Sequence, residues 1–278
     1  MVTMTEQAYP KSNIDIWLEE TPVDVVYETV LRKAGQDLGL DVEVGLFGRR
    51  TIFTVPETGD KIRYFASDMG FNSSLNSFLA RDKVICSDIL ASAGIPCLEH
   101  KLFKVEDLES IRNAHNYPLV MKPTAGGGGT DVHFVNSEAE LLTAYKAIKS
   151  PSISISPYVA FDVEYRVTVL DGKVLMTYGK TKGENNQNNL SKGAQVIRTP
   201  DHLLPELEEL ALEGAKAIGL RSANIDIIFI DGVAPVILEV NNTVALKRVA
   251  KAGSEFYYAS INAYIEMLQQ AIYDINHK

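Results

Sequence analysis

The run Gly126, Gly127, Gly128, Gly129, inside "PLVMKPTAGGGGTDVHFV" from Pro118 to Val135, narrows the fold more than any other stretch of this 278-residue chain. Glycine has the most backbone freedom to lose on folding, so four in succession need a partner whose close approach offsets that loss. The flanks decide which partner. "LVMK" before the run is short and apolar and "DVHFV" after it alternates, so both predict strands. A Walker loop ends in Gly-Lys-Ser/Thr and opens a helix; the dinucleotide fingerprint would need glycine at Asp131 and, again, a helix. Neither fits. A glycine loop between two strands is either a solvated hairpin connection or a flap whose backbone N–H groups close over phosphate. Lys122, ending the apolar strand four residues before the run, favours the flap because its ammonium can meet an anion beneath it.

A second stretch, "NIDIIFIDGVAPVILEVNN", supplies complementary chemistry. Asp226, Glu239 and Asn241 are polar residues set into apolar strands, and Glu239 and Asn241, two apart, share a face. A loop of Asp231 to Ala234, pairing Ile230 with Pro235, would place Asp226 opposite Glu239. Facing carboxylates repel unless a cation lies between them, and an oxygen-only set with an amide beside it suits Mg²⁺. One such residue alone would read as a solvated strand position; three convergent donors with a lysine and a flap upstream read as a Mg-nucleotide site.

The rest of the chain is that of a water-soluble globular protein: 46% hydrophobic, 23% charged, net charge -9. No Lys/Arg block offers a general nucleic-acid surface, and no apolar stretch nears the ~18 residues that span a bilayer, so a cytoplasmic protein with neither kind of partner is expected. Cys86 and Cys97 have no CxxC spacing and read as buried free thiols, and the absence of HExxH and GxSxG removes the common zinc and serine-nucleophile alternatives. Helices are predicted within "TPVDVVYETVLRKAGQDLGL", over Lys83 to Ala93, near Val105 to His115, after the Ser137/Glu140 capping box, over Glu206 to Ile218 and over Ser254 to Tyr273. Strands come as "DVEVGLF" and "RTIFTV", the pair around the glycines, and hairpins turning at Asp171-Gly172 and near Asp231-Gly232. Strands arriving as hairpins favour antiparallel sheets packed with helices, an α+β class, over a doubly wound parallel sheet.

In combination these residues resemble the ATP-grasp carboxylate:amine ligases, a superfamily that includes D-alanine:D-alanine ligase, the ribosomal-protein glutamate ligase, glutathione synthetases and the ligase part of cyanophycin synthetase. The resemblance covers roughly Asn72 to Asn242. It implies two α+β subdomains gripping ATP: a short N-terminal α/β region over 1–81, a small subdomain with the flap over 82–157, and a C-terminal subdomain with the metal site over 158–278. Lys83 of "RDKVICSDIL" and Lys122 would contact nucleotide phosphates. In "SPYVAFDVEYRV" the hinge would read adenine through the Pro157 carbonyl and the Val159 N–H, with Tyr158 between them, and Glu164 would take the ribose hydroxyls. A glutamate often stands in the family where this chain has Ser156, and the spacing to Glu164 is one residue long.

"YGKTKGENNQNNLSKGA" looks most like the glutamate-ligase branch and implies Lys180, Asn189 and Lys192 near the transferred phosphoryl, with Arg166 near the acyl phosphate. A two-residue Asp171-Gly172 turn would put Lys180 and Arg166 on opposite faces; a three-residue bulged loop would bring them together and is the expectation here. The implied reaction activates a carboxylate with ATP and Mg²⁺ (or Mn²⁺) as an acyl phosphate, which an amine converts to an amide. Amino acids or peptides are the expected substrates, with a carrier protein as an alternative acceptor. The competing readings are a small-molecule kinase on the same fold and a nucleotide-binding maturation partner without catalysis. After the metal motif the chain reads "NNTVALKRVAKAG", without the proline or glycine common there; Lys247, Arg248 and Lys251 are a solvated basic face or, less favoured, substrate contacts. The final helix has core spacing, with homodimerisation as an alternative role.

Overall fold

Four side chains set helix starts. The hydroxyls of Ser12, Ser73 and Ser137 and the carboxylate of Asp82 accept hydrogen bonds from backbone N–H groups of first helical turns, opening α1 (Asn13–Glu20), α3 (Ser74–Arg81), α5 (Glu138–Ala147) and α4 (Lys83–Ser92). The computed structural model of the protein describes residues 12–104, 106, 117–183, 190 and 193–277, so the helix expected near Val105 to His115 lies outside the described residues. The remaining helices are α2 (Val23–Asp37), α6 (Leu204–Ile218) and α7 (Ser254–Asn276). No described helix is long and apolar enough to cross a membrane.

The chain packs as two compact units. One takes the chain up to Met69 together with Ala245 onward and contains α1, α2, α7 and a three-stranded sheet of β1 (Asp41–Gly45), β2 (Arg50–Thr54) and β3 (Lys61–Phe65). Helix α2 lies so close to the sheet that a Cβ on Gly35 would come within 2.5 Å of Val42, which is why glycine stands there. The core spacing of the last helix is confirmed by Ile261, Tyr264 and Leu268, all buried. Lys247 pairs with Asp24 and Lys251 donates to the Thr21 carbonyl at 2.8 Å, so these two basic residues tie α7's approach to α1 and α2.

The other unit, Gly70–Val244, holds two antiparallel sheets. The smaller runs in the order β4 (Lys101–Leu102), β7 (Ile153–Pro157), β5 (Leu119–Pro123), β6 (His133–Val135), and α5 covers it over a core of Leu119, Met121, Leu141 and Ile155. The larger runs β10 (Val196–Arg198), β9 (Lys173–Thr181), β8 (Val163–Leu170), β11 (Ser222–Ile230), β12 (Ala234–Asn241). Its apolar face, with Val167, Val169, Ile225, Ile227 and Ile237, packs on Leu207, Leu210 and Ala211 of α6 and on Leu90 of α4. The opposite face carries the polar residues, as the period of two along each strand requires.

Both hairpins differ from expectation in one respect. At the first, Leu170 pairs with Lys173, so the turn is the two residues Asp171-Gly172, and the extra residue is taken up between Thr168 and Val169 instead. That shift turns the outer parts of the strands by one residue, so Arg166 faces Tyr178 and Glu164 faces Lys180, putting all four side chains on one face. The bulge is real but lies inside the strands, not in the loop. At the second, Ile230 pairs with Ala234, so the loop is one residue shorter than expected; a shift between Asp226 and Ile227 restores the pairing of Asp226 with Glu239.

Candidate active site

Asp226 on β11 is the centre of the polar face. Its register neighbours are Arg166 on β8 and Glu239 on β12, so one strand position gathers a cation from one side and a carboxylate from the other. Arg166 grips the Asp226 carboxylate with two bonds, Nε to Oδ1 and an Nη to Oδ2, both 2.6 Å. Lys180 Nζ donates to Oδ1 at 3.0 Å and also pairs with Glu164, while Asn241 Nδ2 donates to Oδ2 at 3.0 Å. Asp226 and Lys180 are buried, at 2% and 4% exposure. Lys182, two residues on, remains half-exposed near Asp162.

Burial alone would raise the Asp226 pKa, but Arg166 and Lys180 outweigh it and hold the carboxyl well below the usual carboxylate range. Burial likewise opposes the charges on Arg166 and Lys180, but Asp226, with Glu164 and Tyr178 added, outweighs it and raises both pKa values. Glu164 goes the other way: burial and the nearby Asp226 charge push it up to about 7, against the pull of Lys180. A carboxyl raised in the folded state ionises first in the unfolded chain, so between about pH 4.5 and 7 it removes stability as pH rises. In chemical unfolding across that window, Glu164→Gln is therefore expected to gain stability relative to the native protein as pH increases. A difference independent of pH would show that Glu164 titrates normally.

A second cluster lies at the start of α4. Lys83 Nζ pairs with Glu239 at 3.2 Å and donates to the Gly126 carbonyl at 3.2 Å, while its N–H donates to Thr124 O at 2.9 Å. One lysine thus connects the glycine run to the β12 carboxylate. Lys122 sits beside this pair on β5, opposite Ser154 of β7. Burial and the Lys83 charge lower its pKa, with Glu239, Glu164 and Asp226 acting in the opposite sense. Pro157 ends β7 against Leu119, and the Tyr158 N–H donates to Pro118 O at 3.0 Å while its ring meets Phe134 edge-on. Asn189 and Lys192 lie outside the described residues.

The run's geometry separates what folding needs from what a ligand needs. Gly128 and Gly129 take φ of 70° and 69°, a region glycine enters at no cost. Gly127 does not, and a Cβ there would meet nothing within 4 Å. Gly127→Ala is therefore expected to hold or slightly raise the unfolding midpoint, since it removes freedom from the unfolded chain, and to raise the KM for ATP about tenfold, since a methyl hinders there only if phosphate approaches the backbone. An unchanged KM would remove Gly127 from the site.

By donor type Asp226, Glu239 and Asn241, two carboxylates and an amide with no sulfur or imidazole, suit a hard divalent cation, which would displace one of the donors that Arg166, Lys180 and Asn241 direct at the Asp226 oxygens. Among the described residues no group of three or more His, Cys, Asp or Glu side chains is gathered as metal ligands, so such an ion would draw its remaining ligands from phosphate and water. Sequence reasoning missed Tyr178 and His100. Tyr178 is fully buried, faces Arg166 across β8 and β9, and stands two residues before Lys180, a same-face spacing that could have flagged it.

Residues 80–270 match the family model described as a RimK-like ATP-grasp domain. A protein of Chromohalobacter salexigens named "Probable alpha-L-glutamate ligase" is 30% identical over 70% of this chain and 66% of its own length, so the chain spans about two thirds of that relative. A Legionella pneumophila protein of the same name is 26% identical over 81% of this chain and 78% of its own. Among solved structures, the D-alanine–D-alanine ligase of Bacillus anthracis superposes with a TM-score of 0.54 at 22% identity, covering 71% of each chain. The VanG D-Ala:D-Ser ligase of Enterococcus faecalis gives 0.57 at 18% identity, over 70% of this chain and 63% of its own. These likenesses bear out the α+β ATP-grasp fold. The chain belongs to the RimK-like ATP-grasp family of ATP-dependent carboxylate–amine ligases.

Proposed function

We propose that the protein uses ATP to activate an amino-acid or peptide carboxylate as an acyl phosphate and passes the acyl group to an amine, releasing ADP and phosphate. The observation that carries this reading is the convergence of Arg166, Lys180, Glu164 and Asn241 on the buried Asp226, with Lys83 and Glu239 beside the glycine run. The names of the Chromohalobacter and Legionella relatives support an amino-acid substrate.

Phosphoryl transfer needs positioning and charge neutralisation more than covalent help. Lys83 and Lys122 hold the nucleotide phosphates under the flap of Gly126 to Gly129. The Pro157 carbonyl and Val159 N–H, with Tyr158 between, read the adenine, and Glu164 takes the ribose side. Arg166 and Lys180, with Asn189 and Lys192, face the reacting phosphoryl. ATP-grasp ligases typically use Mg²⁺, which Asp226, Glu239 and Asn241 would hold and which would neutralise phosphate charge. Arg166 is already aligned by two bonds to Asp226, so its guanidinium is preorganised for the developing acyl phosphate. The bond from γ-phosphorus to ADP breaks as the carboxylate oxygen attacks; the amine nitrogen then attacks the acyl carbon and phosphate leaves. Acyl phosphates hydrolyse, so a closing flap that excludes water protects the intermediate.

The test is a panel of amino acids, singly and in pairs, scored for ADP formed with Mg²⁺ and followed by product mass. A product with the summed mass of two substrates less one water is expected. ADP formed alongside a stable phosphorylated product, with no amine required, would overturn the reading in favour of a kinase.

A further inference from the structure

His100 is a titratable group beside the site that the chemistry above does not use. It is 3% exposed, and its ring has no side-chain hydrogen-bond partner among the described residues, the Leu238 backbone being the polar group set against it. Its backbone is fixed from two sides. The His100 N–H donates to Ser87 Oγ on α4 at 3.3 Å, and two residues earlier the Leu98 N–H donates to Ile237 O on β12 at 2.8 Å. The chain is therefore pinned between the two elements that supply Lys83 and Glu239. The ring lines a small cavity with Lys83, Ser87, Cys97 and Glu239, a space with room for about one water molecule.

A buried imidazole has two nitrogens to satisfy and the Leu238 backbone can serve only one of them, so space filling alone does not account for it. Among the described residues the lysine beside it is short of an acceptor. An ammonium has three donors. The Glu239 carboxylate and the Gly126 carbonyl take two of them on Lys83. Burial, and then the Lys122 and Lys83 charges, bring the His100 pKa down to about 3 despite the opposing Leu238 backbone, so at working pH the ring is neutral and one nitrogen accepts.

We propose that His100 is a positioning residue for Lys83: its ring accepts from the ammonium through a water in the shared cavity and holds the lysine aimed at nucleotide phosphate. The inference rests on the reading of Lys83 as a phosphate contact. His100→Phe keeps a flat ring, somewhat larger than imidazole, and removes the acceptor, and it is expected to weaken ADP binding about tenfold by calorimetry. The KM for ATP should rise by a similar factor while kcat falls less than twofold, and whichever of His100→Asn or His100→Gln reaches the cavity should restore both. In a Lys83→Met background the His100 substitution should add nothing. ADP binding by His100→Phe at native strength, or a loss that persists undiminished in Lys83→Met, overturns the proposal. If Lys83→Met alone binds ADP as well as the native protein, the phosphate reading of Lys83 has failed, and the proposal with it. Should His100→Phe not fold, the nitrogen-15 shift of the acceptor ring nitrogen decides: it moves between native protein and Lys83→Met if the link exists, and an unchanged shift sinks it.

Discussion

Asp226→Asn is expected to abolish ATP turnover, by at least roughly a thousandfold, and to lower the unfolding free energy by about 3 to 5 kcal/mol. The two losses have one origin. The carboxylate accepts four bonds, two from Arg166 and one each from Lys180 and Asn241, in a site where water cannot replace them. An asparagine of the same shape presents an N–H₂ where an acceptor was, leaving the buried Lys180 and the half-buried Arg166 facing a neutral group and one donor facing another. Removing one partner of a buried pair costs far more than removing both, so adding Arg166→Met to Asp226→Asn should return part of the stability while turnover stays lost. Urea unfolding of the single and double variants, beside ADP formation, measures both. A purely additive double variant would mean that Arg166 and Asp226 do not depend on one another. The sign with pH follows from the depressed Asp226 pKa. Its contribution is present above the unfolded value near ~3.9 and disappears as pH falls through the lower folded value, so acid unfolding should be displaced upward in pH when the residue is changed.

Glu239→Gln should separate chemistry from folding more cleanly. Its side chain is 28% exposed and Lys83 is its one ion-pair partner among the described residues, so loss of the charge is expected to change stability by less than about 1 kcal/mol. Turnover should nevertheless fall about a hundredfold, with a higher Mg²⁺ concentration needed for half-maximal rate, because the carboxylate both belongs to the proposed metal set and pairs with Lys83. Titrating Mg²⁺ against ADP formation reads the effect. An unaltered Mg²⁺ dependence would remove Glu239 from the metal set.

Much of the site could be read from residues alone because its parts are short-range. Glu239 and Asn241 share a face by being two apart on one strand, and the lysine and glycine run sit within one strand and its loop. Long-range facts were harder. That Lys180 would be buried against Glu164 and Asp226 depends on the meeting of β8, β9 and β11, which no local pattern contains. His100 looked like one polar residue in "PCLEHKLF", and its isolation becomes visible only once α4 and β12 enclose it. The helix α1 has only eight residues, too few for its periodicity to stand out, whereas the strand "KIRYF" alternates, with Ile62 and Tyr64 buried, and is legible in the sequence.

The two strand irregularities have a consequence for comparing relatives. Within each hairpin, turn length and irregularity together set parity, that is, whether a given position on one strand meets an odd or an even position on the other. A relative lacking one residue in the β11–β12 turn can keep Asp226 opposite Glu239 by carrying one more residue further along the strand, and the converse holds for Glu164 and Lys180. Gaps in these hairpins should therefore come in compensating pairs. An alignment that places a single gap in the turn and none in the strand would match residues lying on opposite sides of the sheet.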